Sequence, residues 1–260
     1  MPIFYDQMKR AVNIPFIPKR IISLVPSQTE LLFFLGLDSE IVGLTKFCIH
    51  PAGSVSDKAA IGGTKQLNMA AIYQLKPDLI IANKEENEQA QVEELMKNYP
   101  VWISDINDID SALKMIIAIG SITGKEEEAK DLILDIINQF ESIIKPTVLI
   151  RTAYLIWRNP YMAVGQGTFI NSLFDMIGLT NVFSQGRYPQ ITLAELRAAD
   201  PQLLLLSSEP YPFSEKHIAE FRILLPNARI LLVNGELFSW YGSRLLQAPA
   251  YFNMLIAGLR

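Results

Sequence analysis

Short apolar runs alternate with longer, capped amphipathic segments along this chain, and that alternation restricts the fold more than any other feature. The first run, Ile21–Val25, is followed by Pro26 and by Ser27-Gln-Thr-Glu30, a capping-box pattern that opens a helix. Leu31, Leu32, Phe34 and Leu35 give that helix an apolar face, and Gly36 a stop. Ile41–Thr45 is a second strand. Leu75–Asn83 reads as a helix end, a turn and a further buried strand. A polar helix over Glu88–Asn98 and the strand Val101–Ile106 close the series. Strands alternating with helices imply a mostly parallel sheet covered on both faces.

The second half repeats the plan. Val148–Trp157 holds strand material, and Thr168 caps a helix running through Leu173, Phe174, Met176 and Ile177 to Gly178. Thr192-Leu-Ala-Glu195 is another capping box, leading into a strand after Pro201, and Ile230–Val233 matches Val101–Ser104 in kind. Between the halves, Thr123-Gly-Lys-Glu126 reads as a capping box. Ala129, Leu132, Ile133, Ile136, Ile137, Phe140, Ile143 and Ile144 then recur at helical spacing before Pro146. A helix over Lys125–Lys145 would span about 30 Å. The expectation is an N-terminal lobe over 1–122, a connecting helix over 123–146 and a C-terminal lobe over 147–260, with ligand contacts collected in the cleft between the lobes.

Of 260 residues, 50% are hydrophobic and 19% charged, enough for a full core and incompatible with wholesale disorder. A net charge of −4 argues against broad binding of nucleic acid. Cys48 is the only cysteine, so no internal disulfide forms. No run approaches the roughly 18 apolar residues of a membrane span, so the protein is not itself transmembrane. Lys9 and Arg10 precede a stretch broken by Asn13, Pro15 and Pro18, a poor secretory signal, and on its face the chain reads as cytoplasmic.

The common catalytic patterns fail. There is no G-x-S-x-G elbow, Gly165-Gln-Gly167 lacks the third glycine of a dinucleotide fingerprint, and Gly62-Gly63-Thr64-Lys65 does not fit a phosphate loop. His50 and His217 are the only histidines. The expectation is a non-enzyme with no intrinsic cofactor. Cys48-Ile-His50 is the one fragment of metal-ligand type. It reads either as a small buried thiol beside a loop histidine or as one axial donor to a metal already held by an organic chelator. Aromatic and guanidinium residues gather at loop positions: Phe47, Trp157, Arg158, Arg187, Tyr211 and the Ser239–Arg244 stretch SWYGSR. They offer flat contact area and fork-like recognition of oxygen groups.

RIISLVPSQTELLFFLGL (Arg20–Leu37), VGLTKFCIHP (Val42–Pro51), LKPDLIIA (Leu75–Ala82), YLIWRNPYMAVGQGTFI (Tyr154–Ile170), SSEPYPF (Ser207–Phe213) and SWYGSR occur in that order. Together they resemble the helical-backbone (class III) periplasmic solute-binding proteins of ABC importers, in the cobalamin and ferric-siderophore group. The resemblance implies an α/β fold of two Rossmann-like lobes with parallel sheets joined by a single long α-helix. It also implies a metal chelate held between the lobes, cobalamin or another corrinoid first, ferric siderophore or haem next. Delivery would be to an ABC permease of the inner membrane, from the periplasm. By position, Pro26, Phe47 and His50 would line the first-lobe wall, with Trp157, Glu236, Trp240, Tyr241 and Arg244 on the second. Arg187 or Arg244 would meet polar groups of the ligand, and His50 its metal. Permease docking would fall to Glu85 or Glu88 in the first lobe and Glu209 or Glu220 in the second. Cys48, His50 and Thr64 depart from the cobalamin-binding pattern and imply a different ligand or a different grip on its metal. The alternative is a cytosolic descendant acting as enzyme or binding module on a corrinoid or small acidic metabolite, through Glu236 or His50.

Overall fold

A computed structural model describes residues 3–259. Strands β1 (Ile21–Ser23), β2 (Ile41–Leu44), β3 (Ala59–Ala60), β4 (Leu79–Asn83) and β5 (Val101–Ser104) form one sheet in the order β3-β2-β1-β4-β5, with every pairing parallel. All residues of β4 and β5 are buried, so both faces of the sheet are covered. Ile22, Ile80 and Ile103 pack in one cluster with Ile72 of α2 (Met69–Leu75) and with Val92 and Leu95 of α3 (Gln89–Met96).

Two of the expected capping boxes are not caps. Helix α1 (Pro26–Phe34) begins before Ser27: Val25 is its cap residue, no side chain caps it, and Pro26 fills the first turn. Proline has no N–H to satisfy and its fixed φ suits that position. Thr123 instead ends α4 (Ile109–Thr123), a helix absent from the expected elements, and its Oγ1 donates to the Ile119 carbonyl at 2.7 Å. Gly124, at φ +72°, turns the chain into α5 (Glu126–Glu141).

Helix α5 stops short of Lys145. The Ser142 and Ile143 amides tighten onto the Gln139 and Phe140 carbonyls. Asn253, in the C-terminal helix Ala248–Leu259, then accepts from the Ile144 N–H at 2.8 Å and donates to the Ser142 carbonyl at 3.1 Å. A side-chain amide distant in sequence therefore ends the helix before Pro146.

The second sheet contains β6 (Ile150–Trp157), β7 (Tyr161–Ala163), β8 (Leu179–Asn181), β9 (Gln190–Ile191), β10 (Leu203–Ser207) and β11 (Arg229–Val233). Their order is β9-β7-β6-β10-β11, with β8 along the start of β6. A mostly parallel sheet is expected here, and the one found mixes three parallel pairings with two antiparallel ones. β6 pairs parallel with β8 and β10, and β10 with β11, but β7 returns antiparallel to β6 and β9 antiparallel to β7. The loop Arg158-Asn159-Pro160 is far too short for a crossover helix, so only a hairpin can connect β6 to β7. Thr168 caps α6 (Phe169–Ile177), Gly178 at φ +77° ends it, and the Thr192/Glu195 box on α7 (Leu193–Ala198) is complete. Leu155, Leu204 and Leu206 share a core with Leu196 of α7 and with Ile218 and Phe221 of α8 (Glu215–Leu224).

The chain forms two compact units. The first comprises Met1–Ile106, Asp110–Ile137 and Tyr241–Arg244; the second comprises Asn107–Ile109, Asn138–Trp240 and Leu245–Arg260. The chain leaves the first unit within α5. Among the described residues no helix is long and apolar enough to cross a membrane.

Candidate functional site

In parallel α/β sheets ligands are held at the carboxyl ends of the strands. In the first unit Pro26 follows β1, the Thr45–Pro51 loop follows β2, and Glu85 and Glu88 follow β4. The Lys46 N–H donates to the Gly62 carbonyl at 2.8 Å and the Cys48 N–H to the Thr45 carbonyl at 3.0 Å. That turn buries Cys48 and leaves Phe47 exposed (51%). Phe47 lies against Gly63, where an added Cβ would meet the ring at 3.0 Å, and the Lys46 ammonium is 5.2 Å from the ring centroid.

Cys48 Sγ lies 3.1 Å from Thr29 Oγ1 and 3.3 Å from Thr45 Oγ1, and burial pushes its thiol up. A protonated, enclosed thiol is a core group rather than a metal ligand. His50 is half-buried, and both residues lie in the loop that follows β2 rather than on a strand. Among the described residues no three His, Cys, Asp or Glu side chains gather to hold a metal ion. A metal contact by His50 would thus be a single donor to an ion already chelated.

A buried amide and hydroxyl network, unmarked in the sequence, fixes these strand ends. Gln28 Nε2 and Asn83 Nδ2 both donate to Ser104 Oγ, the latter at 2.9 Å. Asn87 accepts from the Asn83 N–H at 2.8 Å and donates to the Leu24 and Thr64 carbonyls at 3.2 and 3.1 Å. Arg244 and Tyr241 also belong to this unit. The Arg244 guanidinium forms a bidentate pair with Glu30, Nε to Oε2 at 3.0 Å and Nη2 to Oε1 at 2.7 Å. Its first commitment is therefore to α1, and Tyr241 is buried beside it in sequence.

In the second unit Trp157 ends β6, Glu209 follows β10, and Glu236 and Trp240 follow β11. Trp157 is 38% exposed and meets Tyr211 edge-on at 5.9 Å, whereas Trp240 is buried. Glu236 is half-buried in the first turn of the short helix Gly235–Ser239. Arg187 is exposed, sits at φ +64°, and donates to Asn107 Oδ1 at 3.0 Å and to the Gly167 carbonyl at 3.3 Å. Glu220 pairs with Arg158 at 2.8 Å.

Glu209, expected on an outer docking face, is half-buried: its Oε1 accepts from Ser239 Oγ at 2.7 Å and from Trp240 Nε1 at 2.9 Å. It fixes the Trp240 indole. Glu209→Leu removes the acceptor and strands a buried indole N–H, at a cost of about 1–3 kcal/mol in urea unfolding. Glu209→Gln keeps a carbonyl oxygen and is expected to recover most of that loss. Equal losses in both variants would point to the charge instead.

Two α/β units whose parallel strands end in loops carrying exposed rings define a solute-binding fold. The family described as periplasmic binding protein matches residues 21–222, and the chain belongs to that family. It is 24% identical over 199 residues to the vitamin B12-binding protein of Vibrio cholerae serotype O1, covering 74% of this chain and 72% of that one. It also resembles the crystal structure of the periplasmic vitamin B12 binding protein BtuF of Vibrio cholerae: TM-score 0.76, 22% identity, 94% of this chain and 98% of that chain. A periplasmic haem-binding protein from Pseudomonas aeruginosa superposes with a TM-score of 0.78 at 19% identity, covering 92% of each chain.

Proposed function

We propose that this protein captures a bulky metal chelate, a corrinoid first and haem or a ferric siderophore next, and hands it unaltered to the permease of an ABC importer in the periplasm. The exposed rings of Phe47 and Trp157, each on the carboxyl end of a strand in its own unit, carry this reading. Large flat apolar groups left in water at such an edge gain most from being covered by a broad ligand. The vitamin B12-binding and haem-binding relatives support the ligand class. Pro26, His50, Glu236, Trp240 and Tyr241 would complete or back the contact surfaces. Arg187 and Arg244 act through Asn107 and Glu30 as much as on ligand. Glu85, Glu88 and Glu220 remain the docking candidates.

Titration with cyanocobalamin, haemin and a ferric catecholate tests this. Saturable binding of one of them is expected, with quenching of tryptophan emission. Phe47→Ala and Trp157→Ala should each weaken it roughly ten- to a hundredfold, the size of an aromatic anchor. Absence of binding to all three would overturn the proposal.

A further inference from the structure

His217 is a buried titratable side chain to which the proposed function gives no task. It is 1% exposed and occupies the third position of α8, where its ring reaches back to the cap residue Ser214. Nδ1 accepts from the Ser214 N–H at 2.9 Å and lies 3.1 Å from Ser214 Oγ. A ring nitrogen that accepts from an amide N–H carries a lone pair, so the neutral ring holds its proton on Nε2. Nε2 faces Tyr211 Oη at 3.3 Å. The ring also packs edge-on against Tyr211 at 5.6 Å and Phe213 at 5.3 Å, and Tyr211 is the ring that meets Trp157. One imidazole thus holds the start of α8 and the platform beneath an exposed tryptophan.

Protonation takes away the ring's amide acceptor role and leaves only the Ser214 hydroxyl beside Nδ1. A second ring N–H would point at the Ser214 N–H, turning the cap into a donor facing a donor. The new cation would also sit at the positive end of α8. Burial most of all, then Arg158, and also Lys216, disfavour the charged ring; Glu220 and a Ser214 backbone contact favour it; the balance lowers its pKa. A folded value below the unfolded one of about 6.5 keeps the neutral-state stabilisation whole above that pH and removes it as pH falls through the folded value.

We propose that His217 is an acid-sensitive latch on the loop Glu209–Ser214: neutral, it accepts from the Ser214 N–H and seats Tyr211 and through it Trp157, and on protonation it loses the Ser214 bond, so the ring leaves its buried seat and Tyr211 and Trp157 lose their support. The latch stands on contacts within the second unit; only its effect on a ligand rests on the function proposed above. The test follows tryptophan emission and cyanocobalamin affinity of the full chain from pH 7.5 to 5.0. The comparison variant is His217→Gln, because glutamine at this helix position can accept the same N–H without titrating. Wild type should show an emission transition that is missing from both His217→Gln and Trp157→Phe, and a loss of affinity between pH 7.5 and 5.0 that follows the same transition. Affinity in His217→Gln should stay level. An identical transition in His217→Gln, or none in wild type, overturns the latch. Proton NMR titration of the wild-type histidines covers the case in which the variant does not fold: both rings titrating at or above 6.5 would also overturn it. A His217-dependent transition in a protein that binds no chelate would leave the latch standing and remove the ligand reading.

Discussion

Glu30→Ala is expected to destabilise the protein by about 3–5 kcal/mol, the cost of removing one member of a largely buried ion pair. The side chains of Arg244 and Glu30 are only 10% and 15% exposed, and both guanidinium contacts are of hydrogen-bond length. The pair also pins the Tyr241–Arg244 segment onto α1. Gly242, at φ +117°, lies so near that helix that an added Cβ would sit 3.3 Å from Leu31 Cβ and from the Ser27 carbonyl. Urea unfolding of Glu30→Ala should show the full loss. The double variant Glu30→Leu/Arg244→Met should recover most of it, because apolar groups of similar volume avoid the desolvation cost of both charges. A loss under about 1 kcal/mol for Glu30→Ala would mean that the pair behaves as a solvated surface bridge.

Gly165→Ala is expected to be nearly as severe, at or above the upper end of the roughly 1–3 kcal/mol typical of overpacking. A Cβ there would lie 2.1 Å from the Gln185 carbonyl oxygen and 3.0 Å from that of Arg187, both backbone atoms with no rotamer to yield. The same crossing is stitched by the Gly165 N–H to the Arg187 carbonyl at 2.7 Å, Gln166 to Gln185 at 2.8 Å and Arg187 back to Gln166 at 2.7 Å. Separating these chains would displace Arg187 from Asn107. Thermal unfolding of Gly165→Ala beside Gly167→Ala separates the causes. Gly167 has open space around its Cβ position and only its φ of +72° to lose, a strain of about 1–2 kcal/mol. Similar losses in both would show that the backbone at Gly165 yields to the added methyl and that crowding there costs little. The incomplete glycine fingerprint of the sequence is therefore a chain crossing, and its first glycine is required by another strand of backbone rather than by a phosphate.

The elements were legible wherever their signal is local. Strand-length apolar runs, Gly36 and Gly178 as helix stops, and the Thr168 and Thr192 caps all lie where spacing places them. The same motif misled where a stronger local group intervened, as with Pro26 ahead of Ser27 and with Thr123 bonding back to Ile119. The site was legible as a set of loops rather than as a set of contacts. Phe47 and Trp157 are exposed at strand ends, while Trp240 and Tyr241 are buried and Glu209 holds an indole.

Read in one dimension, the chain already declares itself an α/β protein, because periodicity, caps and turn residues act over a few neighbours, and its ordered segments resemble the solute-binding family to which it belongs. What the charged and amide side chains do was settled only by folding. Glu30 and Arg244 are 214 positions apart, Asn253 stops a helix that ends at Glu141, and His217 takes its meaning from Tyr211 and Trp157. A carboxylate or imidazole carries no mark of its partner in the sequence. Burial and the direction of nearby donors, set by chain segments folded in from elsewhere, make one glutamate an ion-pair anchor and another a clamp on tryptophan.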